Sequence, residues 1–511
     1  MAGQQDSDRG PDLSLGIPIS DIPASGLIKG HVGDEAVLLA RTGQEFFAVG
    51  ASCTHYSGPL ADGVVDGDTV RCPWHHACFS LRTGEALRAP AIDPVDCWST
   101  ERRGERIFVR AKKERGRTAY AAAVVADSAA APSRILIVGG GAAGFAAAEM
   151  LRRIGFERQI VILSEDEASP VDRPNLSKDT LAGTAPEDWV PLRPADWYRD
   201  HDIDLRLATR VVGIDGRASE VVLGPGARLP YDRLLLATGA QPVRLTIPGA
   251  DQPHVATLRT LKDCRAIIAA CQGAATAVVV GASFIGLEVA ASLRTRGVDV
   301  HVVAPEKRPL ERVFGGEIGD FVRALHEEHG VAFHLPDTLA AIEPKHVVLT
   351  SGARLPADLV VVGIGVRPRV EIAEQAGLAL DRGVSVNAYL ETSAPNIFAA
   401  GDIARWPDRR TGEAIRVEHW VVAERQGQTA ARNMLGARER YDDVPFFWSQ
   451  HYDVPINYVG HATEWDGIDI EGDIGARDCV VRYRKNGTVR AVASIYRDRD
   501  SLEAELALER A

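Results

Sequence analysis

The chain has 511 residues, 45% of them hydrophobic and 25% charged, and a formal net charge of −12. This length exceeds what one hydrophobic core supports, so we expect three or four domains. The negative charge argues against nucleic acid or an anionic membrane as the main partner, and no apolar run reaches the roughly 18 residues of a membrane span. The seven cysteines and the lack of an N-terminal secretory pattern predict a cytoplasmic protein.

The first quarter of the chain predicts a small domain followed by a linker. Residues 8–111 contain short apolar strands separated by Gly and Asp turns, which is typical of an all-β domain. Residues 112–133 are rich in alanine and lack a strong apolar period, so we interpret them as a linker. As flexible coil this linker would span about 25 Å, enough for the first domain to swing against the next.

An internal repeat begins at residue 134. Residues 134–155 (RILIVGGGAAGFAAAEMLRRIG) and 276–297 (TAVVVGASFIGLEVAASLRTRG) align without gaps, and each reads as a strand, a glycine-rich turn and a helix. The chain therefore predicts two α/β Rossmann-like folds after the all-β domain. Beyond about residue 436 short strands return and a charged helix ends the chain, which predicts a multidomain protein with an α+β C-terminal domain.

Two short motifs combine cysteine with histidine. They are Cys53-Thr-His55 and Cys72-Pro-Trp-His75, separated by sixteen residues. Zinc also binds two Cys and two His, but zinc sites usually group their cysteines as C-x-x-C. One Cys and one His in each motif suit a two-iron centre in which thiolates hold one iron and imidazoles the other. The stretch resembles Rieske ferredoxins, so it predicts these four residues as ligands of a [2Fe-2S] cluster, with zinc as the alternative.

The resemblance to Rieske proteins also assigns the residues beside the ligands. Ala77 and Phe79 stand where high-potential Rieske centres have hydroxyl donors, and Cys78 lacks an obvious disulfide partner. We therefore expect a potential near the low end of the range of about −150 to +300 mV. His76 stands where the family usually has glycine, and we expect it to be a solvated neighbour of the site. The ordinary buried thiols are expected to be Cys97, Cys264, Cys271 and Cys479.

The first Rossmann-like fold carries a complete G-x-G-x-x-G motif. Gly139, Gly141 and Gly144 lie between a predicted strand and a predicted helix, where glycines let the backbone approach a pyrophosphate. Such a turn can also be purely structural. Glu165 ends the next strand 21 residues later, where an acid accepts a ribose hydroxyl, and this strengthens the prediction of a dinucleotide site.

The second fold departs from the motif in two ways. It keeps Gly281 and Gly286 but has Ser283 at the middle position. Its second strand ends without an acid and is followed by Lys307 and Arg308. Without an acid to repel a 2′-phosphate, these two cations could bind NADPH, or they could be an ordinary charged surface cluster.

From residue 134 onward the chain resembles FAD-dependent pyridine-nucleotide reductases of the ferredoxin-reductase and apoptosis-inducing-factor group. With the N-terminal motifs it resembles the subgroup that carries a fused Rieske domain. The motifs are P-V-D-R-P-N-L-S-K (170–178), A-T-G (237–239), F-A-A-G-D (398–402) and F-F-W-S (446–449). The resemblance implies a Rieske domain at 8–111, an FAD domain at 134–254 and 376–435, an NAD(P) domain at 255–375 and a reductase C-terminal domain at 436–511.

The same resemblance implies individual roles. Arg173 would contact FAD, and Lys178 would lie near the reactive flavin nitrogen, paired with Glu288. Asp402 would bind the ribitol chain and Trp448 would lie beside the flavin. Each could instead be an ordinary cap, core or surface residue, but the order of the motifs favours the family roles.

The implied activity is oxidation of NADH or NADPH, with electrons passing through FAD and the Rieske cluster to an external acceptor such as an oxygenase, ferredoxin or cytochrome. A flavin disulfide reductase is disfavoured because residues 139–178 contain no cysteine. A Rieske oxygenase is disfavoured because we see no spacing for a mononuclear iron site. The remaining alternative is a redox-sensing flavoprotein or a slow NAD(P)H oxidase in which the Rieske domain is regulatory.

Overall fold

The computed structural model describes residues 9–114, 132–224 and 226–511. The predicted linker falls mainly on residues 115–131, outside the described residues. None of the helices in the described ranges combines the length and the apolar character needed to cross a bilayer.

The N-terminal domain consists of two antiparallel sheets. A six-stranded sheet has the order β1-β10-β9-β4-β3-β2, and a four-stranded sheet, β5-β6-β7-β8, is inserted between β4 and β9. Leu38, Val49, Val70 and Phe79 are fully buried in the core that joins the two sheets. The strands are β1 (Ile17–Pro18), β2 (Leu27–Val32), β3 (Glu35–Thr42), β4 (Glu45–Gly50), β5 (Val64–Asp66), β6 (Thr69–Arg71), β7 (Cys78–Ser80), β8 (Ala86–Arg88), β9 (Cys97–Arg103) and β10 (Arg106–Lys112).

The first nucleotide fold follows. Its strands are β11 (Arg134–Val138), β12 (Gln159–Leu163), β13 (Ile203–Arg206), β14 (Val211–Asp215), β15 (Glu220–Leu223), β16 (Arg228–Pro230), β17 (Arg233–Leu236) and β18 (Ala240–Pro242). Its helices are α1 (Ala142–Arg153), α2 (Asp179–Ala182) and α3 (Ala195–Asp200).

The second nucleotide fold interrupts the first. Its strands are β19 (Val255–Thr257), β20 (Thr276–Val280), β21 (Asp299–Val303), β22 (Val331–His334), β23 (Leu339–Glu343), β24 (His346–Leu349), β25 (Arg354–Pro356), β26 (Leu359–Val362) and β27 (Val366–Pro368). Its helices are α4 (Leu261–Cys271), α5 (Phe284–Thr295) and α6 (Glu311–Glu328). The chain then returns through α7 (Glu371–Gln375), β28 (Val384–Ser385), β29 (Ile397–Ala399), β30 (Ala404–Pro407), β31 (Ala414–Ile415) and α8 (Trp420–Met434).

The repeat seen in the sequence extends beyond the glycine-rich turns. The two parallel sheets have matching orders, β13-β12-β11-β17-β29 and β22-β21-β20-β26-β19. Each fold also carries a three-stranded antiparallel sheet, formed by β14–β16 in the first and β23–β25 in the second. In both copies the turn before α1 or α5 lies at the carboxyl end of the central strand, where nucleotides bind in such sheets.

The C-terminal domain is one antiparallel sheet and one helix. The sheet order is β32-β33-β36-β35-β34. The elements are β32 (Phe446–His451), β33 (Val454–Gly460), β34 (Gly467–Asp473), β35 (Asp478–Lys485), β36 (Thr488–Ile495) and α9 (Asp498–Arg510). Leu502 and Leu506 of α9 form a small apolar cluster with Val64 of β5, so this helix joins the sheet to the N-terminal domain.

Candidate redox site

The two motifs that combine Cys with His fold into matching turns. The amide of Cys53 donates to the carbonyl of Gly58 at 2.8 Å, and the amide of Cys72 donates to that of Ala77 at 2.8 Å. The residue before each accepting carbonyl group has a positive φ, 59° at Ser57 and 60° at His76. The first turn lies between β4 and β5 and the second joins β6 to β7, and together they bring the ring centroids of His55 and His75 within 5.0 Å.

His76 is not the solvated neighbour that the sequence predicted. Its side chain is completely buried, stacks on Phe446 at 3.9 Å and contacts Glu505 at 3.1 Å. Its left-handed backbone explains why glycine suits this position, since a side chain there costs about 1–2 kcal/mol. The contacts of the imidazole with the C-terminal domain offset that strain.

The side chains of the four predicted ligands converge in pairs. The Nδ1 atoms of His55 and His75 lie 3.2 Å apart. Burial lowers the pKa of His55 to about 3 and holds the pKa of His75 well below its usual range, so both rings are neutral, as metal ligands must be. A hydrogen bond from Cys72 lowers the pKa of the Cys53 thiol. The donor set therefore fits a two-iron cluster with two thiolates and two imidazoles.

The zinc alternative fits less well. A zinc site gathers four donors at one point, whereas no group of three or more His, Cys, Asp or Glu converges on a single metal position within the described ranges. Gly58 also lies against the thiols, because a Cβ there would meet the Sγ of Cys72 at 2.6 Å. A side chain at position 58 would therefore displace the thiol of Cys72.

The residues that the family resemblance assigned to FAD line two adjoining cavities. Gly141, Arg173, Lys178, Glu288, Asp402 and Trp448 line a cavity of about 220 Å³. Gly139, Gly141, Glu165 and Arg173 line a neighbouring cavity of about 800 Å³. The two cavities share Gly141, Arg173, Ala237 and Arg259, so their lining is continuous from the end of β11 to Trp448 of the C-terminal domain.

The glycine-rich turn of the first fold leaves no room for side chains. Gly139 has a φ of +113°, and a Cβ there would meet the carbonyl oxygen of Ala237 at 2.1 Å. A Cβ on Gly144 would meet the carbonyl oxygen of Gly139 at 1.9 Å. Glu165 lies two residues beyond the end of β12 and lines the larger cavity, where it forms an ion pair with Arg369 at 2.9 Å.

Lys178 and Glu288 form the predicted ion pair at 2.9 Å. Burial raises the pKa of Glu288, but Lys178, Ser177 and Ser449 lower it below the usual value, so the carboxylate is ionised. The pair joins the two nucleotide folds, because Lys178 precedes α2 and Glu288 lies in α5. It therefore places one buried cation and one buried anion at the wall of the smaller cavity.

Arg259 was missed by the sequence interpretation. Its guanidinium binds the carboxylate of Asp402 at 2.7 Å, although the two residues lie 143 positions apart. It also lines both cavities beside Arg173, and burial together with Arg259 lowers the pKa of Arg173 to about 10. No local motif marks Arg259, because it follows a strand of the other nucleotide fold.

The second fold keeps the same close packing with a serine in the turn. A Cβ on Gly281 would meet the carbonyl oxygen of Gly363 at 2.4 Å, and one on Gly286 would meet the carbonyl oxygen of Gly281 at 2.2 Å. Ser283 caps α5: its hydroxyl accepts from the amide of Gly286 at 3.2 Å and donates to the carbonyl oxygen of Gly363 at 2.6 Å.

Four thiols outside the cluster motifs were predicted to be buried. Cys97, Cys264 and Cys479 are buried, whereas Cys271 is half-buried.

The two motifs that combine Cys with His approach the smaller cavity through aromatic side chains. The ring centroids of His75 and Trp448 lie 4.3 Å apart, and Trp448 lines the smaller cavity. Tyr56 stacks on His55 at 4.0 Å, and its hydroxyl donates to Asp172 of the P-V-D-R-P motif. Both predicted histidine ligands are thus in contact with the flavin-binding part of the chain through one aromatic residue each.

A buried ionic network holds the N-terminal domain in this position. Glu505 of α9 binds Arg71 of the N-terminal domain at 3.0 Å and Arg425 of α8 at 2.8 Å. Arg425 also donates to the backbone carbonyl of His76 at 3.0 Å. All four residues are at most 5% exposed. Three domains therefore meet at one carboxylate.

Comparison with known proteins agrees with this geometry. Residues 133–427 match the pyridine nucleotide-disulphide oxidoreductase family, residues 17–99 the Rieske [2Fe-2S] domain and residues 446–511 the reductase C-terminal domain. The chain belongs to the pyridine nucleotide-disulphide oxidoreductase family. Its family match alone covers more than half of the 511 residues.

Similar proteins match either nearly the whole chain or the larger part of it. Apoptosis-inducing factor 3 from Homo sapiens is 35% identical over 494 residues, which cover 94% of this chain and 81% of that protein. The anthranilate 1,2-dioxygenase system ferredoxin–NAD(+) reductase component from Burkholderia cepacia is 40% identical over 352 residues, covering 68% of this chain and 86% of that protein. The covalent putidaredoxin reductase–putidaredoxin complex matches with a TM-score of 0.72 and 33% identity, covering 74% of this chain and 94% of the matched chain.

These findings confirm the predicted fold class and cofactors. The chain combines an all-β Rieske domain with FAD and NAD(P) folds and a reductase C-terminal domain. It is a flavoprotein oxidoreductase of the ferredoxin-reductase type that uses NAD(P)H, FAD and a [2Fe-2S] cluster.

Proposed function

We propose that this reductase delivers electrons from NAD(P)H to an external one-electron acceptor by way of its own Rieske domain. The observation that carries the proposal is the contact between His75 and Trp448, whose ring centroids lie 4.3 Å apart at the wall of the FAD cavity. When bound, the flavin accepts a hydride and releases electrons singly, as an iron–sulfur cluster requires. The docked Rieske domain then provides the exit for those electrons.

The cluster is assigned to the four residues of the two motifs. Cys53 and Cys72 supply the thiolates, and His55 and His75 supply neutral imidazole nitrogens. Burial keeps both rings deprotonated, and the matching turns fix the side chains before any metal binds. The buried, apolar Ala77 and Phe79 offer no hydroxyl to the sulfurs, which supports a potential at the low end of the Rieske range.

The FAD assignments rest on the two adjoining cavities. Gly139, Gly141 and Gly144 let the backbone approach the pyrophosphate, and Glu165 accepts a ribose hydroxyl. The remaining contacts with FAD are assigned to Arg173, Lys178, Asp402 and Trp448. Lys178, held by Glu288, places its positive charge where reduced flavin carries negative charge, in a site from which most water is excluded.

Coenzyme binding is assigned to the second fold through Gly281, Ser283 and Gly286. Arg308 is already held by Asp320 at 2.7 Å and Glu311 at 3.1 Å, as in an ordinary surface cluster. Lys307 is exposed, so we assign any contact with a 2′-phosphate to this residue. We propose that NADH and NADPH are both accepted.

The acceptor is proposed to be a protein. Two similar proteins are named as a ferredoxin–NAD(+) reductase component of a dioxygenase system and as a putidaredoxin reductase in covalent complex with putidaredoxin. These names favour a ferredoxin-like, oxygenase or cytochrome acceptor over oxygen. A cytoplasmic location remains the expectation from the sparse cysteines.

Rapid anaerobic mixing tests the order of the carriers. We expect NADH or NADPH to bleach the flavin absorbance first, and the cluster to become reduced afterwards at a rate that does not depend on protein concentration. That independence follows from transfer within one docked chain. Cluster reduction that is faster at higher protein concentration would place the transfer between molecules and contradict the proposal.

The tight turn before α1 supplies a second prediction. The change Gly144→Ala should lower the affinity for FAD about tenfold or more, because overpacking costs about 1–3 kcal/mol and its Cβ would meet the carbonyl oxygen of Gly139 at 1.9 Å. The ratio of flavin to protein absorbance after purification measures the loss. Gly140→Ala is the matched control, because its Cβ would meet nothing closer than the hydroxyl of Ser164 at 3.1 Å. Equal flavin content in both variants would contradict the assignment.

A further inference from the structure

A chain of hydrogen bonds leads away from the Lys178–Glu288 pair into the C-terminal domain. The hydroxyl of Ser449 donates to the Oε1 atom of Glu288 at 2.7 Å and lies 3.2 Å from the Nε2 atom of His451. The Nδ1 atom of His451 lies 3.2 Å from the Nε2 atom of His326. The chain ends where the hydroxyl of Tyr452 lies 3.4 Å from the Nδ1 atom of His326.

Two elements build this chain. Ser449 and His451 are alternate residues of β32 and point to the face opposite Trp448 and Gln450. His326 projects from α6 of the second nucleotide fold. Trp448 therefore meets the Rieske domain on one face of β32, while the hydrogen-bonded chain occupies the other.

Burial separates the members of the chain from water until its last residue. Ser449 is 1% exposed, and His451 and His326 are fully buried. Tyr452 is half-buried, and the ring of His329 stacks on it at 3.6 Å. The proposed function does not use any of these four polar side chains, although burying them without a partner would cost free energy.

The donors and acceptors of the chain follow from one another. Because Ser449 donates its only proton to the ionised Glu288, the Nε2–H of His451 must donate to Ser449. The Nδ1 atom of His451 is then free to accept from the Nε2–H of His326, whose Nδ1 accepts from Tyr452. Burial lowers the pKa of His451 to about 4 and that of His326 well below its usual range, so both rings are neutral and each has one donor and one acceptor.

The proposed function requires a proton to leave this region. Oxidation of one NAD(P)H yields NAD(P)⁺, two electrons and one proton, and the two electrons pass on through a centre that takes them one at a time without the proton. That proton originates in the transferred hydride and is released in the cavity lined by Lys178 and Glu288. The docked Rieske domain covers part of the wall of that cavity through His75.

We propose that Glu288, Ser449, His451, His326 and Tyr452 form a relay that carries this proton from the flavin cavity to the surface. The arrangement above is the state after the proton has left. Before transfer, with Glu288 protonated, the hydroxyl of Ser449 donates to the Nε2 atom of His451, and each imidazole carries its proton on Nδ1. One proton then moves outward across each hydrogen bond, from Glu288 to Ser449, His451, His326 and Tyr452, and the hydroxyl of Tyr452 releases its own proton to solvent, which restores the arrangement above. The inference rests on the proposed function, because only electron transfer onward frees the proton.

A second route from the same carboxylate must be distinguished. Lys178, Glu288, Gln450 and Tyr452 line a separate cavity of about 180 Å³, and water in that cavity could carry the proton instead. Ala182 also lines it and is half-buried, so Ala182→Leu narrows this cavity without touching the relay.

The test compares His451→Gln with His329→Gln in the holoenzyme. Glutamine at position 451 can still donate to Ser449 but cannot pass a proton along the relay. His329 lies outside the relay, and its Nδ1 atom is hydrogen-bonded to the carbonyl oxygen of Leu325. We expect flavin bleaching by NAD(P)H to be unchanged in both variants. Reoxidation of the reduced flavin by a one-electron acceptor should be about tenfold slower or more in His451→Gln, because a proton-transfer group is lost. In His329→Gln the rate of this reoxidation should be unchanged.

A spectroscopic measurement separates the relay from a structural role. Imidazole bands should appear in the reduced-minus-oxidised infrared difference spectrum of the wild type and disappear in His451→Gln. The relay would be overturned if the reduced flavin of His451→Gln were reoxidised at the wild-type rate. It would also be overturned if flavin reoxidation were slowed in Ala182→Leu instead. If the proposed function itself fails, wild-type reoxidation will not depend on the cluster at all, whereas the infrared bands will still respond to reduction of the flavin.

Discussion

Replacing His75 by alanine should leave flavin bleaching by NAD(P)H intact and lower the reduction of a protein acceptor about 100-fold or more. Loss of groups that only support a metal ligand already costs about 10–100-fold in metal affinity, so loss of a ligand should cost at least as much. The hydride is accepted in a cavity formed by other residues, which the substitution leaves in place. Stopped-flow absorbance at the flavin band and reduction of cytochrome or ferredoxin measure the two steps.

The matched control is His31→Ala. His31 belongs to the same domain, and its Nδ1 atom lies 3.1 Å from the carbonyl oxygen of Gly33, within its own turn. Iron analysis should show loss of the cluster in His75→Ala and none in His31→Ala. A cluster-free His75→Ala protein that reduces acceptors at the wild-type rate would remove the Rieske domain from the path, and the regulatory alternative would then be the better hypothesis.

The change Glu505→Gln should lower the stability of the docked arrangement by about 3–5 kcal/mol. Breaking a buried ion pair leaves an uncompensated charge. The carboxylate pairs with both Arg71 and Arg425, and its loss falls mainly on Arg425, because Arg71 keeps Glu509 at 2.7 Å whereas Arg425 is left with Asp443 at 4.0 Å. Because a chain of several domains does not unfold in one step, the sensitive measurement is hydrogen exchange of amides in α9 and in the Cys72–His76 turn. Those amides should exchange much faster in the variant.

Glu503→Gln is the control for this network. Glu503 lies on the same helix, and its ion pair with Arg499 is half-exposed, so its loss should leave the protection of the interface almost unchanged. If both variants exchange alike, docking does not depend on the buried carboxylate. Retained protection in Glu505→Gln would show that the apolar contact of Leu502 and Leu506 with Val64 is sufficient for docking.

The same carboxylate gives the docked state a pH dependence. Burial raises the pKa of Glu505, but Arg425, His76 and Arg71 lower it well below the usual 4.5. A group whose folded pKa is depressed stabilises the folded state fully above its unfolded pKa and loses that contribution as the pH falls through the lower folded value. Interface protection should therefore be constant above pH 4.5 and decrease only in more acidic solution.

The features of this protein that are local in the chain could be predicted from its sequence. The spacings of Cys53 with His55 and of Cys72 with His75 indicate the cluster, because each pair occupies one short turn. The glycine motifs indicate the nucleotide folds, because a tight turn between strand and helix is encoded by consecutive residues. The repeat, the order of the domains and the cofactors follow from the same short motifs.

Only the tertiary structure decided how these parts meet. A linker of predicted reach about 25 Å suggested a swinging Rieske domain, whereas the structure shows it docked, with His76 buried against Glu505. The contacts that decide this arrangement join distant parts of the chain: His76 and Arg71 lie 429 and 434 positions from Glu505. Such contacts depend on packing between separate domains, and no periodicity or spacing within one segment of the chain encodes them.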